Sequence, residues 1–308
     1  MRVASIDIGT NTLLLLIAEV KDGKITTLHN SQIIAGLGKN IDADGLIQKE
    51  AFDKISDALI EFKKISEKFG VEKIFAVGTS ALRDAKNRDE FLNFIKRKTG
   101  IEIKVISGEE EARLTYLGAV SGLDEEILKT KITVIDIGGG STEVILGLGF
   151  EIEKFISLDI GTVRITRKFL KHSPPLDEEI ENAKFFIRNE FERIRNFEFA
   201  GSNLVGVAAT VTTVASYSLN LQTYDGEKIN GYVMGIETIE KIYEKFKNLS
   251  IAEISKIPQI SKGREDVIFA GVLILFEFMK KFNFKSIIAS DRGVRYGVIF
   301  NLLRTNSL

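Results

Sequence analysis

The stretch V-A-S-I-D-I-G-T-N-T (residues 3–12) decides the fold, because it returns as T-V-I-D-I-G-G-G-S-T (residues 133–142). Asp7 matches Asp136 and Gly9 matches Gly138. Each copy is an apolar run, a glycine turn and a second apolar run (residues 13–20 and 143–148), the pattern of a β-hairpin. At nearly the same offset, F-A-V-G-T-S-A-L (residues 75–82) is echoed by V-G-V-A-A-T-V-T (residues 205–212), a strand, a small-residue turn and a helix start. Two paired signals in one order indicate a duplication, so each half is expected to be an α/β domain. Helical spacing marks residues 49–69, 88–98, 109–121, 177–196, 211–219, 236–247, 264–282 and 293–303, with strands between them. Gly122 followed by an acidic and then a polar stretch places a boundary near residues 123–131. The expected domains are 1–124 and 125–308, with the last helix, about residues 293–308, open to packing back on the first.

Composition narrows the chemistry. The chain has 308 residues, 44% of them apolar, enough for two cored domains. Lys and Arg number 42 against 43 Asp and Glu, so no general attraction to nucleic acid or to an anionic membrane is expected. With no Cys and two His, His29 and His172, thiolate chemistry and imidazole-rich metal sites are excluded. Oxygen ligands suited to Mg2+ remain. The apolar runs at 13–18 and 267–279 are too short to cross about 30 Å of hydrocarbon. The first residues enter a strand without the pattern of a signal peptide, and a cytoplasmic location is expected. His29 and His172 sit in polar or turn-like stretches and are expected to have no catalytic role. The Phe spacing at 269–284 points to packing.

A hairpin whose turn reads D-I-G-T-N-T or D-I-G-G-G-S-T suits a metal-bound phosphate. Its glycines let backbone amides approach an anion, and its Asp offers a carboxylate to the metal. Gly9, Gly138, Gly139 and Gly140 are the candidate amide positions, and Thr10, Asn11, Thr12, Ser141 and Thr142 add side-chain donors. Asp7 and Asp136 are the candidate carboxylates. The competing reading is two ordinary hairpin turns.

D-I-G-T-N-T, G-T-S-A-L-R-D-A-K-N, S-G-E-E-E-A-R-L, V-I-D-I-G-G-G-S-T-E and S-D-R-G-V-R-Y-G resemble, in that order, the exopolyphosphatase and guanosine-pentaphosphate phosphohydrolase (Ppx/GppA) family in its short two-domain form. The resemblance implies duplicated actin-like domains of the sugar kinase, Hsp70 and actin superfamily, ribonuclease H-like, with an interdomain cleft. It implies hydrolysis of the terminal phosphate of inorganic polyphosphate or guanosine pentaphosphate with Mg2+. A small-molecule kinase or a nucleotide-gated sensor on the same fold stays open, as does a homodimer.

The remaining candidates follow from chemistry and resemblance together. Such hydrolysis needs an oriented water, a base and positive charge. Ser107 and Glu110 have the spacing of a capping box, which lets Glu111, one position further on, point elsewhere. Its counterpart in the resembled family activates water. Glu143, closing the second loop, is assigned by the same resemblance to metal or water. Arg83 follows a strand and turn and is a candidate to neutralise phosphate, whereas Arg113 is expected to flank Glu110 on a helix surface. Residues 206–213 resemble the family's glycine-rich turn and make Thr210 a phosphate candidate, but Ala208 and Ala209 stand where glycines are usual. Asn230 stands where the family often has His, and Tyr296 where an acidic residue is common. Asp291 is expected to cap the last helix.

Overall fold

A computed structural model describes residues 1–21, 23–41 and 44–305, without the side chain of Lys39. The chain divides into two compact units, Met1–Gly118 with Val294–Leu308, and Ala119–Gly293. The division falls at 118/119 rather than at 124/125, and the C-terminal segment belongs with the first unit. Residues 306–308 of the expected last helix lie outside the described residues.

The first unit opens with an antiparallel meander, β1 (Arg2–Ile8), β2 (Thr12–Lys21) and β3 (Lys24–Ile34). Then come α1 (Lys49–Lys68), β4 (Lys73–Gly78), α2 (Ser80–Asp84), α3 (Arg88–Thr99), β5 (Ile103–Val105) and α4 (Gly108–Val120). The sheet order is β3-β2-β1-β4-β5, with β4 parallel to both β1 and β5. Alternation puts Ala4, Ile6 and Ile8 of the central strand in a core with Phe52, Phe62 and Phe91.

The second unit repeats this plan. After α5 (Glu125–Leu128) come β6 (Lys131–Ile137), β7 (Thr142–Leu148) and β8 (Glu151–Leu158). They are followed by α6 (Thr162–Phe169), α7 (Asp177–Phe191), β9 (Asn203–Val207), α8 (Ala208–Ser218) and α9 (Gly226–Ile229). The unit continues with β10 (Val233–Gly235), α10 (Ile236–Lys247), α11 (Ile251–Ile254), α12 (Ile268–Lys281) and β11 (Ser286–Ala289). Its order, β10-β11-β9-β6-β7-β8, contains the first sheet's arrangement with β10 added antiparallel at one edge. The register repeats too: Asp7 pairs with Val77, and Asp136 with Val207. Two sheets so alike in order and register bear out the duplication and the α/β class.

The last helix, α13 (Val294–Arg304), covers the other face of the first sheet, where Val3, Leu16 and Ala18 meet Tyr296 and Ile299. The Phe-rich α12 is core, as its spacing predicts. Its one carboxylate, Glu277, is 2% exposed and held by Arg188 at 2.6 and 3.2 Å. The helix starts at Ile268 rather than 264, because the Glu265 carboxylate accepts from the Gly263 amide and Gly263 is left-handed (φ 89°), which keeps the preceding residues in turns. Among the described residues no helix is long and apolar enough to cross a membrane.

Candidate functional site

The two glycine loops have one construction. The Gly9 amide donates to the Thr12 carbonyl at 3.1 Å, and the Gly138 amide to the Ser141 carbonyl at 3.0 Å. A Cβ on either glycine would lie 3.1 Å from that same carbonyl oxygen, so the tight turn favours glycine. The amides of Thr10, Asn11, Gly139, Gly140 and Ser141 have no acceptor among the described residues. Partly exposed amides left over in this way are what an anion requires. The expected side-chain donors divide. Thr142 is fully buried and donates its hydroxyl to the Ile160 carbonyl at 2.6 Å. Thr210 is 3% exposed in the first turn of α8, with its hydroxyl against Gly271, where an added Cβ would come within 2.5 Å of it.

Arg83 and Glu111, 28 residues apart, meet at 2.9 Å between Nη1 and Oε2. Arg83 reaches the site because α2 begins two residues after β4 ends, and its Nη1 also donates to the Ile106 carbonyl at 3.1 Å. Glu111 stands in the first turn of α4. Ser107 Oγ accepts from the Glu110 amide at 3.1 Å as a cap should, but the Glu110 carboxylate is engaged by Lys104 at 2.6 Å. Arg113 turns to Asn301 of α13 at 2.7 Å. At side-chain exposures of 30% and 18%, Arg83 and Glu111 are accessible yet partly desolvated, which strengthens their attraction.

The carboxylates of the loops differ in their surroundings. Asp7 is partly exposed as a residue, but its Oδ1 is buried and has no hydrogen-bond partner among the described residues. Burial pushes its carboxyl up to about 6, against the opposing pull of the Arg295 guanidinium. Asp136 pairs across the β6–β7 ladder with Glu143, whose Oε1 accepts from Ser157 Oγ at 2.6 Å. The equivalent cross-strand partner of Asp7 is the apolar Leu14. Among the described residues no group of three or more His, Cys, Asp or Glu side chains forms a ready-made metal cage. Taken unit by unit, the hard oxygen of Asp7 in the first and the neighbouring carboxylates of Asp136 and Glu143 in the second are donors of the kind Mg2+ takes, since it uses one or two carboxylates and keeps the rest of its shell for water and phosphate.

Several residues singled out in the sequence find structural roles. Ala208, which corresponds to Gly78 of the first repeat, is held at φ 62°, a left-handed conformation that strains any residue with a Cβ. The Tyr296 hydroxyl is 2.9 Å from Thr27 Oγ1 and 3.2 Å from Asn30 Nδ2, tying α13 to β3. Asn230 donates to the Gly122 carbonyl at 3.4 Å, and Asp291 accepts from the Tyr224 hydroxyl. His29 lies within β3, its ring tilted 35° to that of Phe69 with centroids 5.3 Å apart. His172 is not without a partner. Burial opposes ionisation of Glu179, but hydrogen bonds from the His172 ring and from the amides of Leu176, Lys171 and His172 bring that carboxyl down to about 2.

A family model described as the Ppx/GppA phosphatase family matches residues 16–306. The chain belongs to the Ppx/GppA phosphatase family. A crystal structure of the Ppx/GppA member of Aquifex aeolicus superposes with a TM-score of 0.87 at 35% identity, covering 100% of this chain and 99% of that one. Exopolyphosphatase 2 of Mycobacterium tuberculosis is 32% identical over 293 residues, 91% of this chain and 90% of that protein. A bifunctional 3-dehydroquinate synthase/phosphatase of Fusobacterium nucleatum is 36% identical over 307 residues, 96% of this chain. The chain spans 46% of that relative's length. Membership makes the chain a phosphatase-family hydrolase.

Proposed function

We propose that the chain removes the terminal phosphate of inorganic polyphosphate, or of guanosine pentaphosphate, which ends in the same anhydride. The observation that carries this reading is the set of unpartnered amides at Thr10, Asn11, Gly139, Gly140 and Ser141, on two loops of one construction. Oriented amides stabilise phosphate oxygens without reorganising as charge develops. The exopolyphosphatase named among the relatives supports polyphosphate as the substrate.

In this reading phosphate competes with Glu111 for the Arg83 guanidinium. Glu111, released, accepts a proton from the attacking water as its oxygen moves onto phosphorus and the anhydride bridge leaves. Asp7, Asp136 and Glu143 are the residues that would hold Mg2+, which when bound supplies positive charge to the phosphate oxygens. Phosphate release should be measured side by side from polyphosphate, guanosine pentaphosphate and ATP, with and without Mg2+. Mg2+-dependent release from polyphosphate is the expected result. Activity only as phosphoryl transfer from ATP to an acceptor would overturn the reading in favour of a kinase.

A further inference from the structure

Each glycine loop has a second side, formed by its carbonyls, and in both units the chain just after the third strand seals it. In the first unit the Thr10 carbonyl accepts from the Gly38 amide at 2.7 Å, and the Asn11 carbonyl from Ala35 and Gly36 at 3.0 and 2.8 Å. In the second, Gly138 accepts from Thr162 at 2.9 Å, and Gly139 from Val163 and Arg164 at 2.9 and 3.2 Å. Gly140 accepts from a side chain, Arg164 Nε, at 2.9 Å. The approach is close in both braces, and in the second it is backbone against backbone, which requires glycine at 161. A Cβ on Gly38 would lie 2.3 Å from Thr10 Cγ2, and one on Gly161 would lie 2.5 Å from the Gly139 carbonyl oxygen.

In a trans peptide the C=O and the next residue's N–H point in opposite directions. Pinning the carbonyls of 138, 139 and 140 therefore turns the amides of Gly139, Gly140 and Ser141 to the opposite side, and these are the three unpartnered amides of that loop. The first amides of α6 are thereby occupied by loop carbonyls and do not themselves receive an anion. Two of the three peptides are held by backbone groups. Among the described residues, the third, Gly140–Ser141, is held by Arg164 alone.

We propose that Arg164 is a positioning residue for phosphate binding, fixing the Gly140–Ser141 peptide so that the Ser141 amide is presented to the anion. This rests on the reading of residues 138–142 as a phosphate loop. The Arg164 side chain is 49% exposed, and its guanidinium also meets Asp159, 3.5 Å from Nη2, a carboxylate that faces Arg193 at 3.8 Å. The field of a half-exposed cation is the competing explanation, and substitutions separate the two.

Arg164→Leu should raise KM for polyphosphate about tenfold, the typical loss for one oriented hydrogen bond, with kcat changed less than about twofold. Arg164→Lys, which keeps the charge but not the planar Nε donor, should raise KM nearly as much. Arg193→Leu, which removes a cation of similar exposure, should leave KM unchanged. Wild-type KM in Arg164→Lys, or an equal rise in Arg193→Leu, would overturn the proposal. Amide hydrogen exchange of residues 139–142 supplies a readout independent of turnover: inorganic triphosphate should protect this loop in the wild type and much less in Arg164→Leu. Equal protection in both would also overturn it. Triphosphate protection without phosphate release from any substrate would instead sink the hydrolase reading and leave the positioning role standing. Thermal melts of each variant check that the exposed substitution leaves the fold intact.

Discussion

Asp7 and Glu111 meet partial burial in opposite ways. Glu111 has a guanidinium 2.9 Å away, while Asp7 keeps a buried oxygen with no donor among the described residues. Glu111→Gln should lower kcat by about 10²- to 10⁴-fold, the usual contribution of a general base, while leaving polyphosphate binding within a few-fold. Unreduced phosphate release from that variant would remove Glu111 from the mechanism. Asp7 carries a stability cost. Its carboxyl titrates near 6 when folded against 3.8 in a model carboxyl, so between those values the folded protein holds a proton that the unfolded chain releases. Stability therefore falls as pH rises through about 6. In Mg2+-free buffer, Asp7→Asn should remove this dependence and stabilise the protein at pH 7.5 by about 1–3 kcal/mol, with no advantage at pH 4. Urea denaturation of both proteins at the two pH values measures it; equal differences at both would refute the assignment. Ala208 is the same kind of case in the backbone, for its φ of 62° would suit glycine better. Ala208→Gly should stabilise by about 1 kcal/mol, read as a shift in the urea midpoint.

Among the elements, α4 and α13 touch through their backbones. A Cβ on Gly297 would lie 1.8 Å from the Leu114 carbonyl oxygen, so Gly297→Ala must push the helices apart. Overpacking of this kind costs about 1–3 kcal/mol, and the variant should show it in its urea midpoint. The elements also mark where the sequence was legible. Residues 236–247 form α10 within the predicted bounds, because four buried apolar residues follow the helical period. The sequence pattern does not announce the eight-residue α6, nor β3 and β8. Short α6 carries only Thr162 and Ile165 as buried positions, too few for a periodic signal, although Asp22-Gly23 is a hairpin dipeptide that could have announced β3. The loop ligands were separable only in part. Glycine and Asp declare a turn locally, whereas nothing in S-T-E says that the Thr142 hydroxyl turns inward to Ile160.

At the scale of the whole chain, the second unit is continuous while the first is discontinuous, completed by the segment from Val294. A chain ending at 293 should lose the first unit's cover over Val3, Leu16 and Ala18 while residues 119–293 keep their own core. Limited proteolysis of the truncated chain should therefore degrade residues 1–118 and leave a resistant fragment of about the second unit. Survival of both units to the same protease concentration as the full chain would contradict this.

The sequence by itself determined the duplication, the twin glycine loops and the family, because turn glycines, strand alternation and their repeat offset are local and periodic properties of the chain. Only the tertiary structure decided which side of each loop is free, that Arg83 meets Glu111, and that the last helix completes the first unit. Those outcomes rest on hydrogen bonds and packing between residues distant in sequence. A carbonyl does not reveal its donor, nor a helix its covered sheet, until the chain has folded.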